Sequence, residues 1–290
     1  MKKKIAFIIN PISGGKNKLK FPGLASEYLD KTTFHSDYVF TERPGHAFDI
    51  AGEMLKGNTD ILVAVGGDGT INEVASAILG SDRVMGIVPY GSGNGLARSL
   101  GIPLNDRKAI LRLNKLNSTC IDAGELNGKK FFNMAGIGFD AHISTLFAEG
   151  VKRGLHGYVK TTLSEISSYR PQHYRLEIDG KCYEQDAFMI SIANSSQFGN
   201  NAHISPFASL KDGLLDICIT KPFPLYHFPV LGYRMFNKSI HRSKYIEIIQ
   251  GREIRIFREY SGAVHLDGEP VLMGSELNIK IRPLGLSILV

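Results

Sequence analysis

The apolar run Ile61-Leu-Val-Ala-Val65 leads without a polar break into Gly66-Gly67-Asp68-Gly69-Thr70, and then into Ile71-Asn72-Glu73-Val74. A short unbroken apolar run bounded by glycine suits a strand buried on both faces, as in a parallel sheet covered by helices. Helical periodicity resumes at Ile71, and Thr70 with Glu73 three residues on predicts a capping box. The glycines permit positive φ and the close approach of another backbone or a phosphate. The N–H groups of a helix start attract anions. Asp68 alone would repel an anion, so its presence there points to a divalent cation or a proton transfer, as in nucleotide phosphate chemistry.

The same alternation runs through the first half of the chain. Ile5–Ile9 reads as a strand, followed by a glycine-containing loop over 10–16 and a helix over Leu24–Leu29. Asp37–Phe40 is a short strand ending at Thr41, and His46–Lys56 carries apolar residues at helical spacing. Ile61–Val65 and Val84–Val88 are strands, with helices over Ile71–Leu79 and Asp106–Leu113. This order predicts an α/β, doubly wound, mostly parallel sheet that binds ligands beyond the C-terminal ends of its strands. The loops at 10–16, 66–70 and 89–95 all fall on that edge. The second half changes character: Tyr174–Ile178 alternates apolar and polar residues and meets the hairpin signal Asp179-Gly180. Further strands are expected at Ala187–Ala193, Leu214–Thr220, Tyr245–Ile249, Glu253–Phe257, Ala263–Leu266 and Leu277–Ile281, with helices at Val151–Tyr169 and, broken, near Phe228–Met235. An antiparallel β domain over 124–281 should therefore follow an α/β domain over 1–123.

Composition bounds the rest. The 290 residues, 43% of them hydrophobic, can build a sizeable core in one large or two ordinary domains. A net charge of +6 fits a phosphate-rich ligand, an anionic membrane or nucleic acid without choosing among them. Cys120, Cys182 and Cys218 form no C-x-x-C pair, so a reducing cytoplasmic compartment, no zinc site and core-filling thiols are expected. The apolar run after Lys2-Lys-Lys4 is too short for a leader and stops at Asn10-Pro11. No run approaches the ~18 apolar residues of a spanning helix.

The chain has no G-x-x-x-x-G-K-[ST], and Gly91-x-Gly93 lacks the third small residue of a dinucleotide fingerprint. Asn10-Pro11-Ile12-Ser13-Gly14-Gly15-Lys16 could cradle phosphate through its backbone and Ser13; Lys16 reads first as a solvated lysine, with a phosphate partner as the alternative. Arg98 could meet phosphate or a structural carboxylate. Asp267-Gly268-Glu269 reads by itself as a hairpin turn, with a general base or metal support as the alternative. Ser209, Asp212 and Leu214 form either an Asp-Gly turn or a small oxygen site for Mg²⁺. His265 is expected on a strand surface. Leu155, Val159, Leu163 and Ile166 form a stripe for the core or for a lid over an apolar substrate. Lys238, Arg242, Lys244, Arg252, Arg255 and Arg258 read as a solvated face, with contact to anionic lipid as the alternative.

Taken in order, Asn10–Gly14, Gly66–Thr70 with Asn72-Glu73, Gly91–Asn94, Gly136–Asp140, Asp212–Asp216 and Asp267–Glu269 resemble the diacylglycerol kinase catalytic family, which includes bacterial lipid kinases and sphingosine and ceramide kinases. The resemblance covers essentially the whole chain. It implies an N-terminal domain like those of NAD kinases and phosphofructokinases, a C-terminal β-sandwich carrying lipid contacts, and a last strand, about 282–290, that returns to the first domain. It implies ATP contacts at Asn10, Pro11, Ile12, Ser13, Gly14, Thr41, Gly66, Gly67, Asp68, Gly69, Thr70, Ile71, Asn72 and Ser92, and a structural Mg²⁺ at Ser209, Asp212 and the Leu214 carbonyl. For the catalytic proton acceptor it offers both Glu269 and Asp68. Position in the chain favours Glu269 as base, oriented by Asp267, with Asp68 organising nucleotide-bound Mg²⁺. Gly95-Leu96-Ala97 departs from many bacterial members and lies closer to the sphingoid-base enzymes. The expected function is an ATP- and Mg²⁺-dependent lipid kinase that is cytoplasmic and held peripherally at an anionic membrane surface. Nucleic acid is not expected as a partner, and a homodimer stays open. The alternatives are a soluble-substrate kinase resembling NAD kinase and a non-catalytic lipid-binding module.

Overall fold

The computed structural model describes residues 2–15, 17–149 and 162–290. Chain contacts divide it into two units, residues 1–121 with 284–290, and residues 122–283.

In the first unit, β1 (Lys3–Ile9), β2 (Phe34–Phe40), β3 (Ile61–Gly66) and β4 (Val84–Pro89) form a parallel sheet in the order β2-β1-β3-β4. β2 begins three residues before the expected Asp37, because Phe34 is buried and pairs with Lys3. Ile5–Ile9 and Ile61–Val65 are buried throughout, as strands covered on both faces require. Right-handed crossovers put α1 (Phe21–Tyr28) on one face of the sheet, and α2 (His46–Leu55) and α3 (Asp68–Ile78) on the other. Packing agrees, since α2 lies against α3 and α1 against α5 (Asp106–Leu113), which follows the short α4 (Gly95–Ser99). The chain turns back between β1 and β3, so the crevice of this sheet opens at their C-terminal ends. That point carries the loops after Ile9 and Gly66.

β5 (Ser118–Leu126) leads into the second unit and pairs with β6 (Lys129–Phe131). The unit continues through β7 (Met134–Gly138), α6 (Phe139–Glu149), β8 (Gln172–Ile178), β9 (Lys181–Ala187), β10 (Met189–Ala193), β11 (Gln197–Gly199), β12 (Ala202–His203) and β13 (Leu215–Thr220). After α7 (Phe228–Phe236) come β14 (Ile246–Gly251), β15 (Glu253–Arg258), β16 (Gly262–Leu266), β17 (Glu269–Met273) and β18 (Glu276–Leu289). One antiparallel sheet runs β14-β13-β10-β7-β16-β17; against it stand β9, β8, β15 and the first part of β18, also antiparallel. Ile137, Ile190, Ile217 and Val264 of the first sheet share a core with Tyr174, Leu176, Ile256 and Leu277 of the second. Alternation along each strand makes this a sandwich. The last residues of β18 pair in parallel with β4, Ser287 opposite Val84. Among the described residues no helix is long and apolar enough to cross a membrane. The thiols divide differently from expectation: Cys218 is buried, while Cys120 and Cys182 take outward positions on their strands and are exposed.

One buried ion cluster left no mark in the sequence pattern. Glu125 is 8% exposed and faces Lys130, Arg282 at 2.9 Å and Lys280 at 3.2 Å. Burial pushes its carboxyl up, but bonds from Lys130, Arg282 and Lys280 outweigh this and hold it at about 2, against 4.5 ordinarily. A carboxyl lowered by folding stabilises above its unfolded value, and that stability is lost as pH falls towards the folded one. The shift corresponds to on the order of 3 kcal/mol before solvent screening of the half-exposed Lys280 and Arg282 reduces it. Glu125→Gln is expected to lower the melting temperature at neutral pH and to flatten the acid loss of stability below about pH 4.5. Melting curves across pH check this; an unchanged acid slope in the variant would remove Glu125 as its source.

Candidate active site

At the edge of the parallel sheet three loops meet. Asn10 donates its N–H to Val65 O at 3.0 Å, and its side-chain amide to Thr70 Oγ1 at 3.1 Å. Tyr90 N–H reaches Gly66 O at 2.7 Å. Asp68 accepts the N–H groups of Asn94 and Gly95, one on each carboxylate oxygen, both at 2.9 Å. Asn94, in the left-handed region at φ 51, closes its own loop: Oδ1 accepts Gly91 N–H at 2.8 Å and Nδ2 donates to Gly91 O at 2.7 Å. Such contact needs glycine. A Cβ on Gly91 would stand 2.8 Å from Gly67 Cα, and one on Gly14 would stand 1.6 Å from Tyr90 O. Gly14, at φ 63, also requires the conformational freedom of glycine.

The fold thus gathers Asn10, Gly14, Gly66, Gly67, Asp68 and Thr70 with the 89–95 loop. Pro11 lies within the first of these loops and Gly69 in the first turn of α3, and Thr41 joins them from the end of β2, its N–H bonded to Ile9 O at 2.8 Å. Ser13 O accepts the buried Lys18 ammonium, which lies 4.9 Å from the Tyr90 ring centre. Ile12 and Ser92 point to solvent. Ile71 is buried in the core, which leaves only its backbone for a ligand. Asn72 lies inside α3 and accepts a bond from Ser76 at 3.2 Å. Lys16 lies outside the described residues. Arg98 Nε donates to Gly93 O at 3.0 Å, a contact within the loop itself.

The expected capping box does not form. α3 starts at Asp68 with Gly67 at its cap, so Thr70 and Glu73 are already inside the helix. Thr70 turns towards Asn10. Glu73 reaches across to α2 and accepts the N–H groups of Gly45 at 2.9 Å and Ala47 at 3.0 Å. The sequence spacing was right for a cap, but the recipient is the neighbouring helix.

In the second unit, Asp267 and Gly268 form the two-residue turn between β16 and β17, with φ 49 and φ 90. The Asp267 carboxylate accepts the N–H groups of Phe132 at 3.0 Å, Asn133 at 2.8 Å and Met134 at 2.9 Å. Glu269 opens β17, is exposed, and its carboxylate has no partner among the described residues. His265 corrects the expectation of a surface strand residue: it is 4% exposed, because α6 packs over this face of β16. Its Nε2 meets Asp140 Oδ2 at 3.2 Å, and Ser191 Oγ donates to the same oxygen at 3.1 Å. Gly136 makes room for both, since its Cβ would stand 2.2 Å from Asp140 Oδ2. The Gly136–Asp140 motif signalled part of this network, whereas Ser191 carried no signal. Arg258 also departs from the solvated face, donating to the carbonyls of Gly262, Ala263, Met273 and Gly274.

Ser209, Asp212 and Leu214 share one loop. Ser209 Oγ accepts Lys211 N–H at 3.2 Å and Asp212 Oδ1 accepts Leu214 N–H at 3.1 Å. Nearby, Asp122 and Asp216 are buried, and Gly213 N–H donates to Asp122 Oδ2 at 2.8 Å. Burial pushes the Asp212 carboxyl up, and the charges of Asp216 and Asp122 add to this. Among the described residues no three His, Cys, Asp or Glu groups converge as a metal cage. The donors that Ser209, Asp212 and the Leu214 carbonyl offer are hard oxygens, and a cation there would relieve the carboxylate repulsion, so this loop fits Mg²⁺. Of the 151–169 stripe, Leu155 and Val159 lie outside the described residues; Leu163 is 57% exposed and Ile166 is buried.

A parallel sheet with glycine loops at its switch point, followed by an antiparallel sandwich, defines the NAD kinase-like class of fold. A crystal structure of an NAD kinase from Archaeoglobus fulgidus in complex with ATP shares it, with TM-score 0.54 at 14% identity over 99% of this chain and 93% of that one. A diacylglycerol kinase structure from Bacillus anthracis str. Sterne is nearer, with TM-score 0.77 at 21% identity over 99% and 96%. Residues 4–126 match the diacylglycerol kinase catalytic domain, and residues 133–290 the YegS C-terminal NAD kinase beta sandwich-like domain. The diacylglycerol kinase of Bacillus subtilis (strain 168) is 27% identical over 273 residues, 92% of this chain and 90% of that protein. A Pseudomonas savastanoi pv. phaseolicola protein named "Probable lipid kinase YegS-like" is 32% identical over 269 residues, 89% of this chain and 85% of that one. The chain belongs to the diacylglycerol kinase family, in the group that carries the YegS-type sandwich.

Proposed function

We propose that the chain transfers the γ-phosphate of ATP to a hydroxyl of a membrane lipid of the diacylglycerol or sphingoid-base type. The observation that carries this reading is the bonding of Asp68 to Asn94 and Gly95, which holds two glycine loops together at the sheet's switch point. Phosphoryl transfer depends on positioning and on charge stabilisation, so a rigid backbone cradle is the part a kinase must supply. In this reading the loops at 10–15, 66–70 and 89–95 bind the nucleotide phosphates through backbone N–H groups. Asp68 is a positioning residue that fixes the cradle. Glu269 accepts the proton of the lipid hydroxyl, and Asp267 holds the turn that presents it. Ser209, Asp212 and the Leu214 carbonyl would hold a Mg²⁺ that keeps their loop and the neighbouring carboxylates in place. Metal bound with the nucleotide would offset charge on the phosphates. A lipid substrate brings the chain to a membrane surface.

The test is incubation with γ-labelled ATP and a panel of diacylglycerol, sphingoid base, ceramide and NAD, followed by extraction into chloroform. Label is expected in the organic phase with at least one lipid. Label only in water-soluble product with NAD would replace this reading by a soluble-substrate kinase, and no label with any acceptor would leave a lipid-binding module.

A further inference from the structure

We infer that α7 and the segment around it form a docking surface for an anionic lipid bilayer. This deepens the lipid kinase reading and rests on it for the source of the lipid, while the surface itself stands on its own residues. From 217 to 246 the sequence contains no Asp or Glu, but holds Lys221, Arg234, Lys238, Arg242 and Lys244. One short segment thus carries a charge of +5 in a chain whose net charge is +6.

α7 is apolar on both sides. Inward, Leu231 and Met235 pack with Met134, Ile204, Cys218 and Ile240, and Phe228 packs on the neighbouring Phe139 cluster. Outward, Val230 and Tyr233 lie three residues apart on one helical face and are 47% and 67% exposed, and Tyr226, in the single 3-10 turn before the helix, is 77% exposed. Phe236 is 57% exposed at the helix end, and Leu225 48% just before its start. A surface helix ordinarily turns its polar side to water. This one turns tyrosine, valine and phenylalanine outward, and a contiguous exposed apolar patch marks a contact surface.

The chemistry selects the partner. Lys238, Arg242 and Lys244 are exposed beside the patch, and none forms an ion pair with a described residue; Lys244 Nζ lies 5.2 Å from the Tyr245 ring centre, and Lys221 pairs with Glu247 at 2.8 Å. Tyrosine, with an apolar ring and a polar tip, suits the headgroup level of a bilayer, as does phenylalanine just below it. Basic residues around such a patch are drawn to anionic headgroups. A helix of nine residues cannot span a bilayer, so it lies in the interface plane. A second copy is a poor occupant, because two identical faces of this charge repel.

The chain contains no tryptophan, so Tyr233→Trp introduces a single reporter. With vesicles of phosphatidylglycerol and phosphatidylcholine its emission is expected to shift to the blue and to be quenched by brominated acyl chains. Combining Lys238→Glu, Arg242→Glu and Lys244→Glu in that background is expected to weaken vesicle binding by about 100-fold or more, as should high salt. Melting temperatures confirm that the variants fold. No shift on vesicles, or binding indifferent to charge reversal, overturns the surface, as does a shift produced only by soluble polyglutamate. A parallel assay on a short-chain lipid dispersed as monomers separates the two readings. There the charge-reversed variant should phosphorylate at the parent rate. Lipid phosphorylation without tryptophan insertion removes the surface alone, and insertion without phosphorylation of any lipid removes the kinase reading alone.

Discussion

Glu269→Gln is expected to lower the rate of lipid phosphorylation by about 10²–10⁴-fold, the range for loss of a general base. Melting temperature and ATP-induced stabilisation should stay at the parent values. The expectation rests on how Glu269 is held. Its carboxylate is exposed at the start of β17 and bonded to no described residue, so the fold loses nothing when the charge is removed. The amide keeps the shape of the side chain but cannot take up a proton. Asp267, two residues earlier, is the opposite case: it accepts three backbone N–H groups. Loss of activity at Asp267 would therefore come with loss of stability, because that turn would lose its anchor. Turnover assays beside melting curves separate the two. A Glu269→Gln protein that phosphorylates lipid at the parent rate, or one that melts early, removes Glu269 from the role of base.

What could be read from the sequence followed the range of the interactions. The parallel sheet was legible because its strands are buried on both faces: Ile5–Ile9 and Ile61–Val65 contain no polar residue. The hairpin at Asp179-Gly180 was legible because a two-residue turn requires positive φ at both positions, found here at 46 and 80. The three glycine loops could be placed on one edge by topology alone. Their bonding could not, since Asp68 meets Asn94 across 26 residues and Asn10 meets Thr70 across 60. Glu73 illustrates the same limit: its spacing from Thr70 suggested a local cap, yet its carboxylate closes another helix. His265 was misplaced because alternation gives a residue's face but not whether that face is covered. Here α6 covers it, and Asp140 of that helix supplies the buried partner, 125 residues away.

Asp68→Asn is expected to lower both turnover and ATP-induced stabilisation, each by about 10²-fold in the underlying constant, and to reduce the melting temperature of the parallel-sheet unit. The concentration of Mg²⁺ giving half-maximal rate should not move. The sequence favoured Asp68 as organiser of nucleotide-bound metal; its bonding favours a positioning role instead. Each carboxylate oxygen already takes a backbone N–H at 2.9 Å, from Asn94 and from Gly95. Bonds to a charged acceptor are among the stronger ones, worth about 1.5–3 kcal/mol each. Asparagine supplies one oxygen and sets an NH₂ donor against the second N–H, leaving that group unsatisfied. Asn94 then loses the bond that holds it at φ 51, and its two bonds to Gly91 no longer tie the 91–95 loop to α3. Gly91 and Gly67, whose backbones touch, would separate, and the spacing of N–H groups offered to a phosphate would change. A cradle loosened in this way binds ATP less well at any metal concentration. A metal ligand behaves differently: its loss raises the Mg²⁺ requirement and leaves the fold as stable as before. Titration of Mg²⁺ against rate, with melting curves of the same protein, distinguishes the two. A raised Mg²⁺ requirement at an unchanged melting temperature would make Asp68 a metal ligand and end its assignment as the residue that holds the loops together.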